Sequence, residues 1–103
     1  FEHYIFHELK SYCDYNPLKE LAYWRSKSQF EVDFILDNRI AIEVKGKKTI
    51  ASRDLKGLLA LKEEGLLERY LVVSLVDEKI SQDGVAIYPY QDFIKELWQG
   101  ALL

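Results

Sequence analysis

Two short segments concentrate the side chains whose types and spacing can do chemistry: Glu31-Val32-Asp33-Phe34 and, after a brief turn, Glu43-Val44-Lys45. Each acid sits among β-branched or aromatic residues, the environment of a strand. Lys45 lies two residues past Glu43 and so projects from the same face. Two carboxylates and an ammonium in such surroundings are costly to desolvate without compensation. A hard divalent cation supplies it, since Mg²⁺ takes carboxylate oxygens at about 2.0–2.1 Å and keeps several waters. The expected site therefore has Asp33 and Glu43 as ligands of Mg²⁺ or Mn²⁺, with Lys45 placing a water beside them.

That site constrains the elements around it. Directly opposed residues of an antiparallel pair share a face. Asp33 stands opposite Glu43 only if the connecting loop holds an odd number of residues. Asp37-Asn38-Arg39 satisfies this, whereas a two-residue Asp37-Asn38 turn does not. Asn38 tolerates the left-handed backbone that three-residue hairpin loops use.

Before these strands, residues 1 to about 14 read as an amphipathic helix. Ile5, Leu9 and Cys13 are at i+4 spacing, and Tyr4, Phe6 and Tyr12 broaden the stripe. Asn16-Pro17 stops it. Leu21–Ser26 is a short aromatic-rich strand, and Lys27-Ser28-Gln29 a polar turn. Phe30–Leu36 alternates, with Phe30, Val32, Phe34 and Leu36 on one face and Glu31, Asp33 and Ile35 on the other. Arg39–Lys45 alternates again, which completes an antiparallel meander. Ser52 is the expected N-cap of a helix to about Glu64, with Leu55, Leu58, Leu59 and Lys62 along its inner side and Gly65 at its end. Tyr70–Val76 is a nearly continuous apolar run, suited to a central strand buried on both faces. A polar loop (Asp77–Gly84) precedes a short strand Val85–Tyr88. Pro89 and a last helix, Gln91–Gln99, follow, with Phe93, Ile94, Leu97 and Trp98 inward. The order αβββαβ(βα) predicts an α/β fold in which a parallel crossover adjoins an antiparallel hairpin in one mixed sheet.

The chain has 103 residues, 49% of them apolar and 30% charged, the balance of one globular domain. Its net charge is −3, whereas a dedicated nucleic-acid binder carries a basic excess. Phosphate contacts must then come from a local cluster, and Lys47, Lys48, Arg53 and Lys56 just after Lys45 are the candidates. The lone Cys13 has neither disulfide partner nor zinc-site companions and fits a reducing cytoplasm. No apolar run approaches a membrane span. His3 and His7 have i, i+4 ligand spacing but no third ligand, and read as solvated. The chain starts at Phe1 and lacks methionine, so a C-terminal piece of a longer protein is expected.

The residues Phe1-Glu2, Glu8-Leu9, Tyr23-Trp24-Arg25, Glu31-Val32-Asp33-Phe34, Ala41-Ile42-Glu43-Val44-Lys45, Lys48 and Asp54-Leu55-Lys56-Gly57-Leu58 form a pattern running to about Lys62. It resembles the C-terminal domain of a large family of prokaryotic AAA-type ATPases. That domain is regarded as a member of the PD-(D/E)XK nuclease-like superfamily. The resemblance implies a restriction-endonuclease-like core. Asp33 would be its metal-site aspartate, Glu43 its second acid, Lys45 its lysine, and Glu2 its first-helix glutamate, with Glu8 the alternative. Val32 stands where the strict motif has proline. No GxxxxGK[ST] occurs, so ATP binding belongs to another part of a longer chain.

Two functions follow as expectations. One is a metal-dependent phosphodiesterase acting on DNA, in which Asp33, Glu43 and Glu2 or Glu8 hold Mg²⁺ or Mn²⁺. The other is a catalytically inactive nuclease-fold module for recognition of a partner or nucleic acid within an ATPase. The complete Asp, Glu, Lys set favours the first; the acidic pI and small size favour the second. Self-association is a third, weaker expectation, with the apolar tail Ala101-Leu102-Leu103 suited to contact with another domain.

Overall fold

A computed structural model describes residues 1–103. In chain order it contains α1 (Glu2–Tyr15), β1 (Leu21–Arg25), β2 (Glu31–Leu36), β3 (Ile40–Lys45), α2 (Lys56–Glu63, entered through a 3₁₀ turn Ser52–Leu55), β4 (Arg69–Ser74), β5 (Ile80–Gln82), β6 (Val85–Pro89) and α3 (Tyr90–Gln99). The six strands form one mixed sheet in the order β1-β2-β3-β4-β6-β5. β1, β2 and β3 make the expected antiparallel meander, and β3, β4 and β6 are parallel. β4 lies centrally, with Val72 and Val73 fully buried on its two faces.

The sheet separates two apolar cores. α1 and α3 cover one face, where Ile5, Leu9, Phe93 and Leu97 pack on Leu36, Ile42, Leu71 and Val73. α2 covers the other, where Leu55, Leu58 and Leu61 pack on Val32, Ile35, Ala41 and Val72. Gly57 lets α2 lie this close: a Cβ there would run into the backbone oxygen of Glu31 and lie 3.5 Å from Glu43 Oε2. Gly57→Ala should therefore destabilise the domain by about 1–3 kcal/mol, read as a lower urea midpoint.

The loop between β2 and β3 is the three-residue Asp37-Asn38-Arg39, closed by Arg39 N–H donating to the Leu36 carbonyl at 3.0 Å. Asp37 and Asn38 both take left-handed backbone, at φ 54° and 55°. Phe34 therefore pairs with Ile42 and Leu36 with Ile40, the register that brings Asp33 level with Glu43.

Several expectations need correction. The alternation across Phe30–Leu36 is broken by a bulge. Ala22 pairs with Ile35 but Trp24 with Val32, so Asp33 and Phe34 together face Tyr23. Val32 consequently joins Ile35 in the α2 core, while Phe34 packs on the α1 side. The loop Asp77–Gly84 contains β5, joined to β6 by Asp83-Gly84, both with positive φ. Ser52 is not the N-cap; Ala51 holds that place, and the Asp54 carboxylate accepts its N–H at 2.9 Å. In α1 it is Tyr12 that is buried while Cys13 is half-buried. Trp98 is 42% exposed, because its ring packs edge-on against Tyr12 and Tyr15 at the surface. Leu102 is buried in the domain's own α1/α3 core and is not free for another domain. No helix is long and apolar enough to cross a membrane.

Candidate functional site: a carboxylate pair where two strands part

The β2–β3 ladder ends at Phe34 and Ile42, and side chains take over from it at Asp33. Asp33 Oδ2 accepts the Val44 N–H at 2.8 Å, and Asp33 N–H donates to Glu43 Oε1 at 3.3 Å. Each carboxylate is thus fixed by backbone, and the two are neighbours. Glu43 is only 7% exposed and faces α2 at Gly57. Lys45 follows on the same face, half-buried.

Electrostatics set the pair apart from an ordinary sheet surface. Burial pushes the Glu43 carboxyl up to about 9; the adjacent Asp33, through hydrogen bonding and like charge, adds to it, and the Lys45 ammonium pulls the other way. At neutral pH burial thus favours the protonated form of Glu43. Two carboxyls this close, one of them buried, hold either a shared proton or a cation between them. The donors are hard oxygens, and two protein carboxylates with water completing the shell is a usual way of holding Mg²⁺. The residues fit such an ion. They are two, however: nowhere do three or more His, Cys, Asp or Glu side chains gather as a metal-binding group.

Glu2 is not drawn into the pair. It is exposed and lines a cavity of about 140 Å³ with His3, Phe6 and Phe34. Glu8 accepts the indole N–H of Trp98 at 2.8 Å and is committed to α3. His3 and His7 lie exposed along α1, their rings 6.1 Å apart.

Of the basic residues after Lys45, one is held in an ion pair. Lys47 is tied to Asp54 at 2.8 Å. Lys48 lines a cavity beside Asp77 and Tyr90, whereas Lys56 lines another beside Phe30 and Leu59. Arg53 is exposed. Trp24 packs on the α2 core, and Arg25 pairs with Glu31 at 2.8 Å on the surface.

Asp54 is the residue that sequence reasoning missed. It is buried, and the Lys47 hydrogen bond, followed by the Ala51 N–H, holds its carboxyl below the usual range. The loop it braces carries the chain from Lys45 to α2, with Lys47 N–H donating to the Lys45 carbonyl at 2.8 Å. An acid three residues into a helix, reaching back to the cap N–H, is the signal that could have found it. A depressed pKa stabilises the fold above the ordinary aspartate range and loses that contribution as pH falls through the folded value. The melting-temperature gap between wild type and Asp54→Asn should accordingly be wide at pH 7 and close at low pH.

Fold and site together define a mixed α/β domain of six strands and three helices, with an acid pair, one buried and one half-buried, where two antiparallel strands part. The chain belongs to the family described as Domain of unknown function (DUF4143), whose profile matches residues 1–93 and so spans the whole site. No curated protein and no solved structure matches it.

Proposed function

We propose that this domain is a PD-(D/E)XK-type, divalent-cation-dependent phosphodiesterase acting on DNA, carried on an ATPase chain. The observation that carries the reading is the Asp33–Glu43 pair, fixed by backbone hydrogen bonds, with Lys45 next on the same face. The αβββαβ order, in which this pair falls on the second and third strands, supports it alongside the sequence pattern.

Asp33 and Glu43 would hold Mg²⁺ or Mn²⁺ through their carboxylate oxygens. Bound there, the cation would supply Lewis-acid polarisation of the phosphate and a more acidic water. Lys45 orients the attacking water and offsets the charge that builds on the phosphate. Asp33 keeps its aim because Val44 N–H restrains it, and α2 shields Glu43 from bulk water. Cleavage of a plasmid or oligonucleotide at low salt should require Mg²⁺ or Mn²⁺ and disappear in Asp33→Ala. Cleavage in chelator, or cleavage by Asp33→Ala equal to wild type, counts against the reading.

A second reading has its own observation. Lys47 is committed to Asp54, and no third acid joins the pair. These features suit an inactive module that recognises a partner or nucleic acid. Saturable cation binding at the pair without any cleavage would favour it.

A further inference from the structure

The acid pair has an unusual neighbourhood for a site that must receive a phosphodiester. The net charge is −3, Lys47 is locked to Asp54, and Arg25 already has a carboxylate partner in Glu31. Phosphate attraction alone supplies most of the affinity of duplex binders, and here it is scarce. What the site edge offers instead is an aromatic ring. Because of the bulge, Tyr23 alone faces Asp33 and Phe34. Its side chain is 76% exposed on β1, an outer strand of the sheet. Tyr23, Arg25 and Asp33 line one shallow cavity of about 170 Å³. That is below the ~300–1,000 Å³ of pockets that enclose a whole small ligand, and suits a single flat group at the surface.

We infer that the substrate reaches Asp33 as an unpaired nucleic-acid strand, one base of which stacks on Tyr23 while Arg25 meets an adjoining phosphate. The inference rests on the nuclease reading of the Asp33–Glu43 pair and names its substrate class. Cross-strand neighbours lie about 5 Å apart, so a base on Tyr23 leaves its own phosphate within reach of Asp33. A base presents its face to a protein ring only when it is unstacked, which a single strand allows and an intact duplex does not. Stacking on aromatic rings is tolerant of sequence because every base has a π-face. The Arg25–Glu31 pair is exposed on both sides and so costs little to exchange for a phosphate.

The test is fluorescence anisotropy with the 103-residue domain at low salt. The probe is a labelled thymidine oligomer of about 20 nucleotides, alone or annealed to its complement, in chelator so that binding is read without cleavage. The single strand should bind more tightly than the duplex. Tyr23→Ala should weaken it about tenfold, the order expected for one lost stacking contact, and Tyr23→Phe should restore it. Equal or tighter duplex binding, or unchanged affinity in a folded Tyr23→Ala, overturns the inference. Mg²⁺ binding to the wild-type domain is read in parallel by isothermal titration. Strand binding through Tyr23 with no cation binding in wild type would sustain the surface and defeat the nuclease reading.

Discussion

Lys45→Ala should retain divalent-cation binding yet lose cleavage by about 10²–10⁴-fold, the range for a missing acid–base or electrostatic group. The ammonium lies on the Glu43 face and acts on that carboxyl through its charge, but it is not a ligand. Removing it leaves both carboxylates in place and withdraws the group that balances developing phosphate charge. Asp33→Ala should fail differently, losing cation affinity and rate together, with excess Mn²⁺ restoring part of the rate. The two variants separate when the cation dependence of cleavage is measured for each. If Lys45→Ala cleaves as fast as wild type, the lysine is a surface residue and its assigned role is wrong.

The second large effect is on stability. Burial pushes the Glu43 carboxyl up to about 9 in the folded domain, against 4.5 for an ordinary glutamate. Between these values the native state keeps a proton that the unfolded chain has released. The contribution is therefore complete below about pH 4.5 and is lost as pH rises through 9. In chelator, unfolding free energy should fall across this window with a slope on the order of 1 kcal/mol per pH unit. Glu43→Gln carries a neutral side chain of similar shape throughout and should flatten the profile. Mg²⁺ added at pH 9 should raise the wild-type urea midpoint and leave Glu43→Gln unmoved. Parallel wild-type and Glu43→Gln profiles would mean that the burial of Glu43 is not what governs the site.

Much of this arrangement was legible in the residues. The demand that Asp33 stand level with Glu43 fixed an odd loop, and Asn38, at ease in left-handed backbone, allowed it. The apolar run in Tyr70–Val76 located the central strand because a strand covered on both faces has no polar side. The bulge at Asp33–Phe34 was hidden for a physical reason. Phe30, Val32, Phe34 and Leu36 alternate as though they shared a face, and a switch of face inside β2 leaves that alternation intact in the sequence. β5 was carried by Asp83-Gly84, a dipeptide made for a tight hairpin, but the polar residues before it masked three residues of strand. Trp98 shows the remaining limit. Whether a large aromatic closes a core or covers a surface depends on neighbours from distant parts of the chain. Glu8 lies ninety positions from Trp98.

The claim on which the account turns is that Asp33 and Glu43 together hold a divalent cation. Isothermal titration of Mg²⁺ and Mn²⁺ into wild type and Asp33→Ala, in two buffers of different ionisation enthalpy, tests it most directly. The account predicts saturable binding at one site, release of about one proton per cation at pH 7 as Glu43 gives up the proton it holds, and no binding heat in Asp33→Ala. No binding in wild type, or the same isotherm in Asp33→Ala, would contradict it.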